Sequence, residues 1–168
     1  MLSNSGIFSS SYNIHSKSIR EPLLWSHYGD SHKGVCLIYN IPEEYILGNS
    51  MAGVPVKYGK NSLTNFFIKW SKSKQTLTNH DFIDELVKKY LSIKDVSWKY
   101  ENEYRLIKSD SGEFEFDKSF LKYVCYGLNT PLENREQVNA LLIDDGYKVE
   151  KWEMVRTKSD FGIQERKI

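Results

Sequence analysis

The stretch Trp98–Ile107, WKYENEYRLI, decides which fold class is open to this chain. Trp98, Tyr100, Tyr104 and Leu106 alternate with Lys99, Glu101, Glu103 and Arg105, the period-two pattern of a strand with one face on a core. Glu101, Glu103 and Arg105 then share the opposite face, with successive members roughly 7 Å apart. Beyond a turn at Ser109–Gly112, Phe114 and Phe116 continue the pattern, so the economical reading is a hairpin.

Upstream, GVCLIYN (residues 34–40) reads as a buried strand, and Pro42 opens a short helix that stops near Gly48. Val54–Tyr58 reads as a second strand, with Pro55 marking an edge or a strand start. Leu63, Phe66, Phe67 and Trp70 stand at i, i+3, i+4 and i+7, which predicts an amphipathic helix. Phe82, Ile83, Leu86, Val87, Tyr90 and Leu91 predict another, with Thr78 and Asp81 as a weak capping box and His80 in its exposed first turn. Downstream, Tyr123–Leu128 reads as a strand. TPLENREQVNALLIDDG (130–146) then predicts a helix with Thr130 as N-cap, Pro131 at its first position and Glu133 closing a capping box. Val138, Leu141 and Leu142 form its buried stripe and Gly146 stops it. Trp152–Val155 and Phe161–Ile163 read as the last strands. The sum is a single α+β domain spanning 1–168, a mixed or antiparallel sheet carrying about three to four helices.

At 168 residues and a net charge of +1 the chain has no global field to recruit nucleic acid or an anionic membrane. The N-terminus lacks a basic segment leading into an apolar run, and no window reaches the length of a membrane span, so a cytoplasmic protein is expected. Cys36 and Cys125 each sit in an apolar run and read as buried, reduced thiols.

Two polar constellations could carry chemistry. The first is Glu101, Glu103 and Arg105: paired carboxylates that can act as acid and base, bind a metal or grip a ribose hydroxyl, or else form a solvated cross-strand ladder. The second is LLWSHYGDSHKG (23–34), with Trp25, His27, Tyr28, Asp30, His32 and Lys33, which reads as a helical turn plus loop leading into the 34–40 strand. His27 and His32 are five apart, which misses the helical i, i+4 geometry of a zinc pair, and no phosphate loop, nucleophile elbow or dinucleotide fingerprint occurs.

Trp25, His27, Tyr28, His32, Lys33, Gly34, Val35 and Cys36, followed by Trp98, Glu101, Glu103, Tyr104 and Arg105 and by the 121–127 strand, resemble the bacterial family called domain of unknown function 2971. The resemblance runs from about Ile7 onward. It implies that the chain is the C-terminal part of a larger family domain, because members usually begin with a tyrosine-rich strand and an Asn-Asp-Pro turn that have no match here; Gly6–Ser11 would be the strand just before the Trp-His-Tyr motif. A partner chain could supply that portion. The motif order is also similar to ADP-ribosyltransferases, which implies Glu103 as the catalytic carboxylate with Glu101 assisting. His27, Tyr28, Trp25, Arg105, His32 and Lys33 would then hold a nucleotide, NAD being the implied cofactor, and a phage-defence role would fit. Against that scheme, His27 and Tyr28 are adjacent rather than on separate strands. Three readings follow: an NAD-using enzyme core, a non-catalytic binding module or shortened remnant, and a metal-dependent hydrolase. The first needs residues 25–33 and the glutamate strand to share a concavity.

Overall fold

The computed structural model describes residues 5–12, 18–59, 62–72, 86 and 89–168. Two compact units emerge, residues 1–12 with 46–112 and residues 13–45 with 113–168.

The first unit is built around a three-stranded antiparallel sheet. β1 (Gly6–Ser11) and β3 (Met51–Pro55) flank the strand Glu103–Lys108, here β6, in the order β1-β6-β3. Both edges of β6 are therefore occupied, which leaves no room for the expected hairpin: residues 113–117 form no strand and belong to the other unit. β4 (Lys57–Tyr58) pairs in parallel with β5 (Ile93–Lys94). Val54–Tyr58 is thus two strands, broken at Val56, whose side chain is buried. Helix α3 (Ser62–Lys72) appears where the spacing places it, with Phe66 buried. Ile46, Met51, Val56, Phe66, Leu91 and Leu106 are the buried apolar residues among those described in this unit. Of the expected helix at 82–91, Leu86 and residues 89–91 are helical; the remainder, with Thr78, His80 and Asp81, lies outside the described residues.

The largest correction concerns WKYENEYRLI. Residues Val96–Glu101 form a 3-10 helix, and the strand begins only at Glu103. The Asp95 carboxylate caps that helix by accepting from Ser97 N–H (2.9 Å), and Asn102 ends it in the left-handed region at φ 45°. Asparagine tolerates that conformation because its short polar side chain can bond locally. Trp98 and Tyr100 alternate in the sequence without lying on a strand.

The second unit holds a mixed four-stranded sheet in the order β2-β7-β8-β9: Val35–Tyr39, Leu121–Tyr126, Glu150–Arg156 and Ile163–Lys167. β7 and β8 are parallel and the other two pairings antiparallel. α4 (Leu132–Asp144) connects the parallel pair and packs Leu142 and Val138 on Val124 and Tyr126. A second cluster joins Trp25, Cys125, Met154 and Ile163. The α4 stripe is narrower than its spacing suggests, since Leu141 is exposed. Its capping box is absent: Pro131 is the N-cap with no side-chain bond, and Thr130 turns inward. The last strand starts at Ile163, with Phe161 exposed before it. The fold is α+β, with a mixed and an antiparallel sheet.

Candidate functional site

In the first unit the Asn102 kink places the two glutamates on either side of the junction between the 3-10 helix and β6. Both are buried, at 4% and 8% exposure for Glu101 and Glu103, so they do not form a solvated ladder. Lys94 on β5 donates to both carboxylates, to Glu103 at 3.2 Å. Arg105 grips Glu103 with a two-pronged fork, Nε to Oε1 at 2.8 Å and an Nη to Oε2 at 3.1 Å, and sends its other Nη to the Leu91 carbonyl at 2.7 Å. The Glu103 N–H donates to the Tyr58 hydroxyl at 2.6 Å. Burial works against ionisation of Glu103, yet hydrogen bonds from Arg105, Ser9 and Lys94 bring its pKa down to about 2. For Lys94 burial likewise opposes the charge, and the two glutamates nevertheless raise its pKa. Such a carboxylate is a fixed anion and a poor proton acceptor at neutral pH.

In the second unit, α1 (Pro22–Tyr28) starts where Pro22 follows Glu21, whose carboxylate accepts from Leu23 N–H (3.2 Å). Trp25 is the helix's buried residue, and its indole donates to the Ile19 carbonyl at 2.7 Å. Ser26, His27, Tyr28, Asp30, Ser31 and Lys33 are exposed. Three consecutive non-glycine residues then take positive φ: Asp30 (45°), Ser31 (53°) and His32 (69°). They form one left-handed turn, closed by Lys33 N–H to Asp30 O (3.1 Å). Each left-handed residue costs about 1–2 kcal/mol, so the turn must be held from outside.

The hold comes largely from the far end of β7. Asn129 N–H donates to His32 O (2.9 Å), Gly34 N–H to Gly29 O (2.8 Å) and His32 N–H to Trp25 O (3.1 Å). The Thr130 hydroxyl lies 2.9 Å from Gly34 O and 3.1 Å from Gly127 O. Gly127 is required by close approach, because a Cβ there would stand 2.2 Å from the His32 carbonyl oxygen. The His32 ring stacks on Trp25 at 6.4 Å, with Nε2 3.3 Å from the Ser26 hydroxyl. That hydroxyl also donates to Pro22 O (2.9 Å), and the His32 Nδ1 is buried without a hydrogen-bond partner.

The structure thus gathers Glu101, Glu103 and Arg105 into one ion cluster and stacks His32 of the turn on Trp25 of α1, while His27 and Tyr28 at the end of α1 and Lys33 after the turn are exposed. The two groups belong to different units. Sequence reasoning missed Lys94, Tyr58 and Ser9 in the cluster and Gly127 and Thr130 behind the turn. Asp95 and Asn102 were the local signals for the kink; the other partners come from distant strands. Among the described residues no group of three or more His, Cys, Asp or Glu is placed to hold a metal ion, and no helix is long and apolar enough to cross a membrane. A concavity of about 170 Å³ beside Tyr58, lined by Lys57, Lys89 and Ser92, is below the roughly 300–1,000 Å³ of ligand pockets. One of about 450 Å³ in the second unit, lined by Lys122, Tyr123, Tyr147 and Lys148, touches none of the sequence-predicted residues.

No curated protein and no solved structure matches the chain. The family model described as protein of unknown function (DUF2971) matches residues 24–106, which takes in the left-handed turn and ends on β6 just past Glu103 and Arg105. Over that span, from the turn motif to the glutamate strand, the chain is similar to the proteins of that family.

Proposed function

We propose that this chain is a non-catalytic nucleotide-binding module whose ligand surface is the exposed side of the 26–33 turn. The observation that carries the reading is the run of three left-handed residues at Asp30, Ser31 and His32. Backbone held in sparsely populated conformations by its surroundings clusters at ligand clamps, and a surface fixed before binding loses little entropy on complexation. Just before that turn, at the end of α1, Tyr28 is 66% exposed and meets His27 edge-on at 6.5 Å, with Lys33 exposed nearby in sequence. An open aromatic ring suits a base, and an ammonium suits a phosphate. Glu103 supports the non-catalytic half of the reading: Arg105 and Lys94 already occupy both of its oxygens.

An NAD-consuming activity through Glu103 is the competing reading, favoured by the fact that Glu103 stays ionised, as a carboxylate that engages a ribose hydroxyl must. Calorimetric titration of the full chain with NAD, ADP-ribose and AMP, together with a nicotinamide-release assay, separates the two. The expected result is binding of at least one nucleotide, weakened tenfold or more by Tyr28→Ala, without nicotinamide release. Release that Glu103→Gln abolishes, at a temperature where circular dichroism shows the variant still folded, would establish the enzyme. Absence of binding to all three nucleotides would overturn the module.

A further inference from the structure

The second unit's sheet has two edges of opposite character. β9 carries Glu165, Arg166 and Lys167, charges that discourage pairing with another strand. β2, VCLIY, carries no charge, no proline and no glycine, and Leu37 is 47% and Tyr39 36% exposed. In the other sheet, β3 has Gly53 and Pro55, and β1 follows residues 1–4, outside the described residues. Of the second unit's two sheet edges, β2 is the one without a deterrent.

Ladder parity shows which of its backbone groups face outward. Gly127 N–H donates to Gly34 O at 3.1 Å, so 34 and 127 are a hydrogen-bonded pair. Bonding alternates along an antiparallel ladder. Cys36↔Cys125 and Ile38↔Tyr123 are therefore bonded pairs too, while Val35↔Tyr126 and Leu37↔Val124 are not. Past the bulge between Ile38 and Tyr39, Asn40 N–H donates to Phe120 O at 2.8 Å, which leaves Tyr39 in the same phase as Val35 and Leu37. The N–H and C=O groups of Val35, Leu37 and Tyr39 all turn away from β7.

These three positions are symmetric about Leu37. We infer that β2 pairs antiparallel with β2 of a second copy of this chain, on a two-fold axis through Leu37. Leu37 then faces Leu37 of the second copy, and Val35 faces its Tyr39, a β-branched and aromatic cross-strand pair of the stabilising kind. The strand has no charge to repel its own copy. Other extended peptides could fill the same edge, but self-pairing is the occupant for which the outward groups and the side-chain sizes match by symmetry. Two five-residue strands bury well under the roughly 1,200 Å² of a stable interface, so the dimer is weak.

Sedimentation equilibrium of the full chain from about 10 μM to about 1 mM, with hydrogen exchange at both ends of the range, tests this. The expected result is a reversible dimer, with amide exchange at Val35 and Leu37 slowing as concentration rises. Leu37→Lys, which sets two lysines together on the axis, removes both effects while the β7 amides stay protected. Leu141→Lys, on exposed α4 surface, changes neither. A monomer across the whole range, a dimer that survives Leu37→Lys, or Val35 and Leu37 amides already protected in dilute monomer would each overturn the inference.

Discussion

The ion cluster of the first unit and the left-handed turn of the second fix polar groups by different physics. Around Glu103 the partners are charged side chains, so order depends on protonation and on the balance of two cations against two carboxylates. Around His32 the partners are backbone groups and one hydroxyl, and the fit is steric, set by the missing Cβ of Gly127. The first device is sensitive to charge and pH; the second is sensitive to volume.

The sharpest break of that contrast is Gly127→Ala. The added methyl would meet His32 O at 2.2 Å and Gly34 O at 3.1 Å, both backbone atoms with no side chain free to yield. A loss of about 3 kcal/mol in urea unfolding is expected, at the upper end for overpacking.

Glu103→Gln comes next. It leaves Arg105 and Lys94, 17% and 23% exposed, short of an anion, and a loss of about 2–3 kcal/mol is expected for a partly buried pair broken on one side. Because the folded pKa of Glu103 lies at about 2, below the ordinary 4.5, its contribution is fully present above about pH 4.5 and is lost as pH falls toward 2. The gap between wild type and Glu103→Gln should therefore narrow between pH 5 and pH 2.5 in thermal melts. A constant gap would show that the cluster acts through packing instead of charge.

Thr130→Val should cost about 1 kcal/mol, since the lost hydroxyl is the bond between the turn and the start of α4, while Gly34 O and Gly127 O keep their backbone donors. Unlike the glutamate substitution, its effect should not vary over the same acid range. The smallest effect on stability belongs to His27→Ala and Tyr28→Ala, within about 0.5 kcal/mol for exposed side chains, although nucleotide affinity should fall. The cysteines offer a probe of the sheet between them: burial pushes Cys36 up to about 11 and Cys125 up to about 12, so alkylation near pH 8 should wait on unfolding. Both thiols are free, as their apolar settings predict. Their register makes them a hydrogen-bonded cross-strand pair, the wider of the two kinds.

Local signals carried most elements. Pro22 behind Glu21, Pro42 before Glu43 and the apolar spacing of 63–70 each place a helix by short-range chemistry that does not depend on the remainder of the chain. Thr130 shows where such signals mislead. Its sequence context is that of an N-cap, but two carbonyls at the β2–β7 end compete for the hydroxyl and win, and the capping box is lost. The alternation through 98–101 misleads for a similar reason: two residues, Asp95 and Asn102, bend the backbone and override the pattern of side chains between them.

By itself the sequence determined the α+β class, the two free thiols and the two stretches dense in polar side chains, because periodicity, proline and turn residues act within a few positions of one another. Tertiary structure alone decided that Glu101 and Glu103 are buried beside Lys94 and Arg105, and that residues 30–32 wind left-handed against Gly127 and Thr130. Arg105 is two positions from Glu103, but Lys94 is seven from Glu101 and Thr130 is 96 from Gly34. A charge becomes an interior anion, and a polar loop a rigid turn, only when distant strands bring the opposing groups within bonding distance.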